Sequence, residues 1–231
     1  MLSLVIPFYN DSGCPIPFVT ELKKELKGVD YELILVNDYS SDSTSEELDS
    51  LKDENTHVIH NKQNLDYGGA IIAGLNNSKG DILGFTCGDG EVSPADIVKV
   101  YKNMGSSKVI KTVRRKRKDG LSRKIISSVF NGLNRLRFNI SLEDINGYPF
   151  FFKREVYIEL SNLRTDWLFN TDLIGKILLK KYVISDFIVD HHKRLKGKSH
   201  MRPKRIIRML IKYICYGGFK NCNTTEKRGC K

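Results

Sequence analysis

Apolar residues in the first half of the chain fall in short, β-prone runs: LSLVI (2–6), YELILV (31–36), THVIH (56–60), DILGFT (81–86) and SKVIKTV (107–113). Each reads as a strand. Between them lie stretches of helical character, ELKKELKG (21–28), DSTSEELDSL (42–51), GGAIIAGLNNS (68–78) and PADIVKVYKNM (94–104). Gly28 closes the first, Ser43 with Glu46 makes a capping-box pattern in the second, and Pro94 suits the first turn of the last. Continuous apolar strands separated by helices predict an α/β fold, a mostly parallel central sheet with helices on both faces. No repeat or low-complexity linker interrupts it. Residues 1–202 read as one domain, divided into 1–112 and 113–202, and residues 203–231 as an amphipathic helix and basic tail.

Ligands of such sheets sit at the carboxyl ends of the strands. The segments there are Pro7 to Asp11, Asn37 to Asp42, Asn61 to Gly69 and Cys87 to Ser93, and they are rich in polar and acidic groups. In GFTCGDGEVSP (84–94), Asp89 and Glu91 are interleaved with Gly88 and Gly90. In an extended segment both carboxylates face one side, and the glycines let a ligand come close. Hard divalent cations prefer oxygen ligands, and Mg²⁺ typically takes one or two carboxylates plus substrate phosphates. The loop therefore reads either as a cation site or as a solvated turn. Asp38 reads either as a hydrogen-bond acceptor for a base or ribose, or as a turn residue capping the next helix. Tyr9 reads as a stacking platform or as packing.

Composition narrows the classes. The chain has 231 residues, 40% of them hydrophobic and 28% charged, which are globular values. Its net charge of +11 favours an anionic partner. Five cysteines, scattered without a C-x-x-C pair, argue against a zinc site or disulfide framework and suit a reducing, cytoplasmic setting. The N-terminus lacks a charged n-region, and no apolar run approaches about 18 residues, so neither a signal peptide nor a spanning helix is expected. The aromatic platforms and motifs of nucleic-acid-binding folds are absent, so no nucleic acid partner is expected.

Taken in order, VIPFYN, VNDYSSDST, NKQNLDYGGAIIAGLNNSKGD, CGDGEVSP, DINGYPFFFKREV and HHKRLKGKS resemble the family 2 glycosyltransferases over residues 2 to 200. These are inverting enzymes of the GT-A (Rossmann-like) fold that use nucleotide-sugar donors. The likeness is nearest to the branch with dolichyl-phosphate mannosyltransferase and the polyprenyl-phosphate glycosyltransferases. The resemblance implies that residues 1–112 bind the nucleotide-diphosphate sugar and 113–202 the acceptor. It places Pro7, Tyr9, Asn10, Asp38 and Gly68 on the donor, with Asp144 near the sugar. It gives Asp89 and Glu91 a divalent metal, Mg²⁺ or Mn²⁺, and makes Asp172 an acidic group facing the acceptor. His191, Arg194, Gly197 and Ser199 match a segment that closes over phosphates in relatives. Three positions depart from the family pattern: Cys87 stands where an aspartate is usual, Asn37 replaces an acidic residue, and Asp66 replaces a glycine.

The acceptor follows from charge. A sugar hydroxyl needs a general base, whereas a phosphate monoester is already anionic and needs cations to position it. Arg114, Arg115, Lys116, Arg117 and Lys118 form one cationic run, and Lys193, Arg194, Lys196 and Lys198 another. Both can be solvated loops or phosphate contacts, with Arg194 carrying the family match. In PKRIIRMLIKYICYGGF (203–219), Lys204, Arg208 and Lys212 recur on one face, and Ile206, Ile207, Leu210, Ile211 and Ile214 form another stripe. Such a helix packs on the domain or lies in an anionic membrane interface. The expected activity is hexose transfer to a polyprenyl phosphate, by a peripheral enzyme at the cytoplasmic membrane face, with or without a membrane-anchored partner. The alternatives are transfer to a glycan hydroxyl with Asp172 as base, or a non-catalytic binding module whose metal site is lost at Cys87.

Overall fold

A computed structural model of the chain describes residues 1–115, 121–138, 143–194 and 211–213. Its strands are β1 (Leu2–Phe8), β2 (Tyr31–Asn37), β3 (Thr56–His60), β4 (Ile82–Phe85), β5 (Val109–Arg115), β6 (Phe150–Lys153) and β7 (Ser185–Asp190). They form one seven-stranded sheet in the order β3-β2-β1-β4-β6-β5-β7. β6 runs antiparallel to its neighbours β4 and β5, and the remaining pairings are parallel. Strands from both halves of the chain therefore share one sheet. The helices are α1 (Pro15–Glu25), α2 (Thr44–Asp49), α3 (Asp66–Asn76), α4 (Pro94–Lys102), α5 (Leu121–Phe138), α6 (Arg154–Ile158) and α7 (Phe169–Leu179).

Alternation along each strand sends side chains to two cores, one per face. Val5, Ile34, Val36, Phe85 and Phe150 pack under α3 and α7. Leu4, Ile6, Leu33, Leu35 and Phe151 pack under α1 and α4. Gly74 brings α3 close to the sheet, because a Cβ there would lie 2.3 Å from a Val5 methyl. Burying both faces of β1 and β2 explains their unbroken apolar runs.

The structure departs from the sequence expectation at several elements. α1 begins at Pro15, earlier than the periodic stretch at 21–28, with proline in its first turn. The Ser43 side chain does not cap α2. Asp42 Oδ1 accepts from the Thr44 amide instead, and Glu47 reaches out of the helix to accept from the Gly13 amide. Ser93 does cap α4, accepting from the Asp96 amide at 3.1 Å. β6 and β7 were not evident as strands. Of the C-terminal helix, only residues 211–213 are described. There Tyr213 is buried edge-to-face on Phe130, while Ile211 and Lys212 are exposed. The rest of that helix lies outside the described residues, as do Lys116, Arg117, Lys118, Lys196, Gly197, Lys198 and Ser199.

Candidate active site

The carboxyl ends of β1, β2 and β4 open together. β4 pairs with β1 only as far as Val5, so Pro7, which has no N–H to give, lies beyond that pairing. Asn10 adopts φ 51°, and its Oδ1 accepts from the Ser41 amide at 2.8 Å. Asp38 is buried, and its Oδ1 accepts from Asn61 Nδ2 and the Leu65 amide, both at 2.8 Å. Burial raises its pKa, and those two hydrogen bonds act against the rise. Asp38 thus fixes the β3–α3 loop, and its Oδ2 takes no hydrogen bond among the described residues. Asn37 Oδ1 accepts from the Ser40 amide at 3.0 Å, and its Nδ2 pairs with His60.

The loop after β4 passes over Phe8. A Cβ at Gly88 would lie 2.2 Å from that ring, and Gly90 holds φ 79°. Asp89 and Glu91 are both buried. Asp89 Oδ1 accepts from the Glu91 amide at 3.0 Å. Burial, and then the neighbouring Glu91 charge, push the Asp89 pKa up. Cys87, at the mouth of the same loop, has its thiol pKa pushed well up by burial and by both carboxylates.

Side chains from the second half meet this pair. Tyr148 O–H donates to Glu91 Oε2 at 2.8 Å, and His191 Nε2 lies 3.3 Å from the same oxygen. Arg194 Nη2 lies 2.8 Å from Asp89 Oδ2 and 3.4 Å from Glu91 Oε1. Although burial opposes its charge, Asp89 and Glu91 hold the guanidinium well above its usual pKa. The carboxylates thus bracket a cation. Among the described residues, no group of three or more His, Cys, Asp and Glu side chains is arranged to hold an ion. Two carboxylates suffice for a metal that also takes substrate phosphates. Asp89 and Glu91 are the residues that could hold such an ion.

Arg114 and Asp144 form a second buried unit. Arg114 Nε donates to Asp144 Oδ2 at 2.8 Å, and Nη2 to Oδ1 at 3.0 Å. The guanidinium also sits 4.6 Å from the centre of the Tyr148 ring. Asp144 adopts φ 43°, and the turn is held further by buried Lys111, which donates to the Glu143 carbonyl and pairs with Asp186 at 3.0 Å. Arg114 is therefore engaged by Asp144, while Arg115 is exposed. Tyr148 and Lys111 were not among the residues expected at the site. Tyr148 had a signal, since it lies in the same quoted segment as Asp144.

Two expected residues are held at α7 and the segment before it. Gly68 is buried against the segment before α7: a Cβ there would lie 2.6 Å from the Arg164 carbonyl, and the Gly69 amide donates to Thr165. Asp172 is fully buried in α7. Its Oδ2 accepts from the Arg164 amide at 2.9 Å and from Lys176 Nζ at 2.8 Å. Tyr9, half-buried, donates its amide to Asp11 at 3.3 Å.

An α/β sheet with an acidic pair at its strand ends, met by an arginine from the second half, gathers carboxylates and a guanidinium where the ligands of such sheets sit. The sequence model of glycosyl transferase family 2 matches residues 3–161, and the chain belongs to that family. It is a glycosyltransferase. Its fold is shared with solved structures of glucosyl-3-phosphoglycerate synthase from Mycobacterium tuberculosis. The complex with Mn²⁺, UDP and phosphoglyceric acid matches at TM-score 0.73 and 16% identity, covering 96% of this chain and 78% of that one. The complex with Mg²⁺ and UDP matches at TM-score 0.71 and 16% identity, covering 93% and 78%. The TM-scores establish the shared GT-A fold.

Proposed function

We propose that the chain is an inverting transferase that moves a hexose from a nucleotide-diphosphate sugar to a polyprenyl phosphate at the cytoplasmic membrane face. One observation supports the phosphate acceptor above all. Each carboxylate expected to act in the chemistry already faces a cation: Asp89 and Glu91 face Arg194, Asp144 faces Arg114, and Asp172 faces Lys176. No such group is poised as a general base for a hydroxyl, and a phosphate acceptor requires none.

In this reading Pro7, Tyr9, Asn10 and Asp38 line the nucleoside side. Asp89 and Glu91 hold Mg²⁺ or Mn²⁺, which when bound neutralises charge on the departing diphosphate. His191 and Arg194 lie beside the same position and face the phosphates. Tyr148 fixes the Glu91 carboxylate by donating to it, and Arg114 fixes the Asp144 turn beneath it. An acceptor phosphate oxygen attacks the anomeric carbon as its bond to the diphosphate oxygen breaks. The nucleoside diphosphate leaves with the bonding electrons, the anomeric configuration inverts, and no proton has to move. No helix among the described residues is long and apolar enough to cross a membrane. Docking is then peripheral, through exposed Ile211 and the basic surface, or through an anchored partner.

A second reading is a small, water-soluble phosphorylated acceptor, favoured because the matched synthase was solved with phosphoglyceric acid. The test offers labelled UDP-glucose, UDP-GlcNAc or GDP-mannose with polyprenyl phosphate in detergent or with 3-phosphoglycerate, each with Mn²⁺ or chelator. Metal-dependent label in the lipid phase is expected. Label only in a water-soluble product would replace the first reading with the second. Label in neither acceptor would refute both.

A further inference from the structure

The position that the acidic pair offers to a metal is filled by the chain itself. Arg194 follows β7, and its Nη2 sits between Asp89 Oδ2 at 2.8 Å and Glu91 Oε1 at 3.4 Å. Two backbone contacts set the start of its segment. The His191 amide donates to Arg115 at 3.0 Å, and the His192 amide donates to the Glu91 carbonyl at 2.8 Å. The arginine is thus delivered to the pair by a strand end docked on the acidic loop itself. The other cation at the pair, Arg114, lies 3.9 Å from Glu91 and is committed to Asp144, so it cannot take over when Arg194 leaves.

We propose that Arg194 is a tethered counter-ion that competes with the divalent metal for Asp89 and Glu91, and that metal entry releases it toward the substrate phosphates. This rests on the metal-assisted transfer proposed above and adds an order to it. A metal ion bound to both carboxylates occupies the space where the guanidinium now lies, and two like charges do not share it. The buried pair is then never without a cation, which matters because uncompensated buried charge is strongly unfavourable. Once displaced, Arg194 remains beside the site with its charge unspent, and anionic oxygens of donor or acceptor are its natural partners. Metal binding and arginine engagement become one coupled event, so metal affinity without nucleotide is held down by the fraction of molecules in which Arg194 is bound.

The test is Mn²⁺ binding to the intact protein without nucleotide, read by the loss of the free-ion electron paramagnetic resonance signal. Arg194→Gln is expected to tighten Mn²⁺ about tenfold, the scale of a charge-assisted contact. Lys193→Gln removes the same charge from the adjacent, exposed position and is expected to change the affinity less than about twofold, which separates occupancy from general field. If Arg194→Gln fails to fold, Arg194→Lys keeps a cation but loses the fork, and a smaller tightening is expected. Wild-type binding with no tightening in the arginine variants, or equal tightening in Lys193→Gln, overturns the competition while leaving the metal reading intact. Absence of Mn²⁺ binding in wild type and variants alike, with and without UDP, overturns the metal reading and the competition with it.

Discussion

Replacing Arg114 with alanine leaves the Asp144 carboxylate buried without its fork. In the wild type that carboxylate takes two guanidinium bonds, at 2.8 and 3.0 Å, and a third from the Arg114 amide at 3.1 Å. Of these three, only the amide bond survives the substitution. Both residues are under one-tenth exposed, at 8% and 7%, so water cannot make good the loss. Breaking such a pair from one side costs about 3–5 kcal/mol. For a domain of this size each kcal/mol lowers the melting temperature by about 2–4 °C, giving a fall of about 6–20 °C. The double variant Arg114→Leu/Asp144→Leu removes both charges and is expected to recover much of that loss, with a coupling energy of about 2–3 kcal/mol. Urea denaturation of wild type, the two single leucine variants and the double measures the cycle, and calorimetry of Arg114→Ala measures the fall. A fall under about 2 °C in Arg114→Ala, or strictly additive leucine variants, would refute the assignment of Arg114 to the scaffold. The residue would then be a ligand contact whose loss alters only turnover.

Other variants probe the neighbouring parts. Asp172→Asn is expected to cost about 1–3 kcal/mol of stability, through its Lys176 and Arg164 contacts, while turnover per folded molecule stays within about threefold. A loss of about a hundredfold or more would make it the general base. Asp166, held by Arg164 and Lys212, has its pKa lowered from 3.8 to about 2. A depressed carboxylate stabilises the fold above its unfolded pKa and ceases to do so as pH falls through its folded one. Solvent screens the Lys212 contact, so Asp166→Asn should cost about 1 kcal/mol at pH 7, and the gap from wild type should close between about pH 4 and 2. Equal gaps at pH 7 and pH 2.5 in urea titrations would contradict it. Gly147→Ala puts a Cβ 1.8 Å from the Thr112 carbonyl, in the turn carrying Tyr148. A loss of at least about 1–3 kcal/mol is expected by thermal melting, and an unchanged melting temperature would show that the turn yields freely.

The first five strands and the ends that matter were legible because four of them are buried along most of their length, the edge strand β3 keeps a short β-prone run, and each is followed by a polar turn. β6 was not. It is only four residues long, and its place between β4 and β5 reverses the parallel order that strand–helix alternation implies. β7 was hidden for a different reason. SDFIVD mixes exposed and half-buried positions, with Val189 its one buried residue. The acidic pair was legible because Asp89 and Glu91 are neighbours in a glycine-rich loop. Their partners lie far along the chain, Tyr148 57 residues and Arg194 103 residues beyond Glu91, and only the folded sheet joins them. Asp144 and Asp172 were legible as positions but their partners were not. A family motif marks where a carboxylate stands, and only the fold shows which cation it faces. Asp144 is turned onto Arg114 by β5, and Asp172 onto Lys176 one helical turn away.

The central claim is that the acceptor nucleophile is a phosphate that needs no base from the protein. The most direct measurement offers the enzyme, with Mn²⁺ and labelled nucleotide sugar, two acceptors that differ only at the reacting end: a polyprenyl phosphate and the matching polyprenol. The account predicts label on the phosphate, with inverted anomeric configuration, and none on the alcohol. Comparable labelling of the alcohol would mean that a base operates in the site, and would contradict the account.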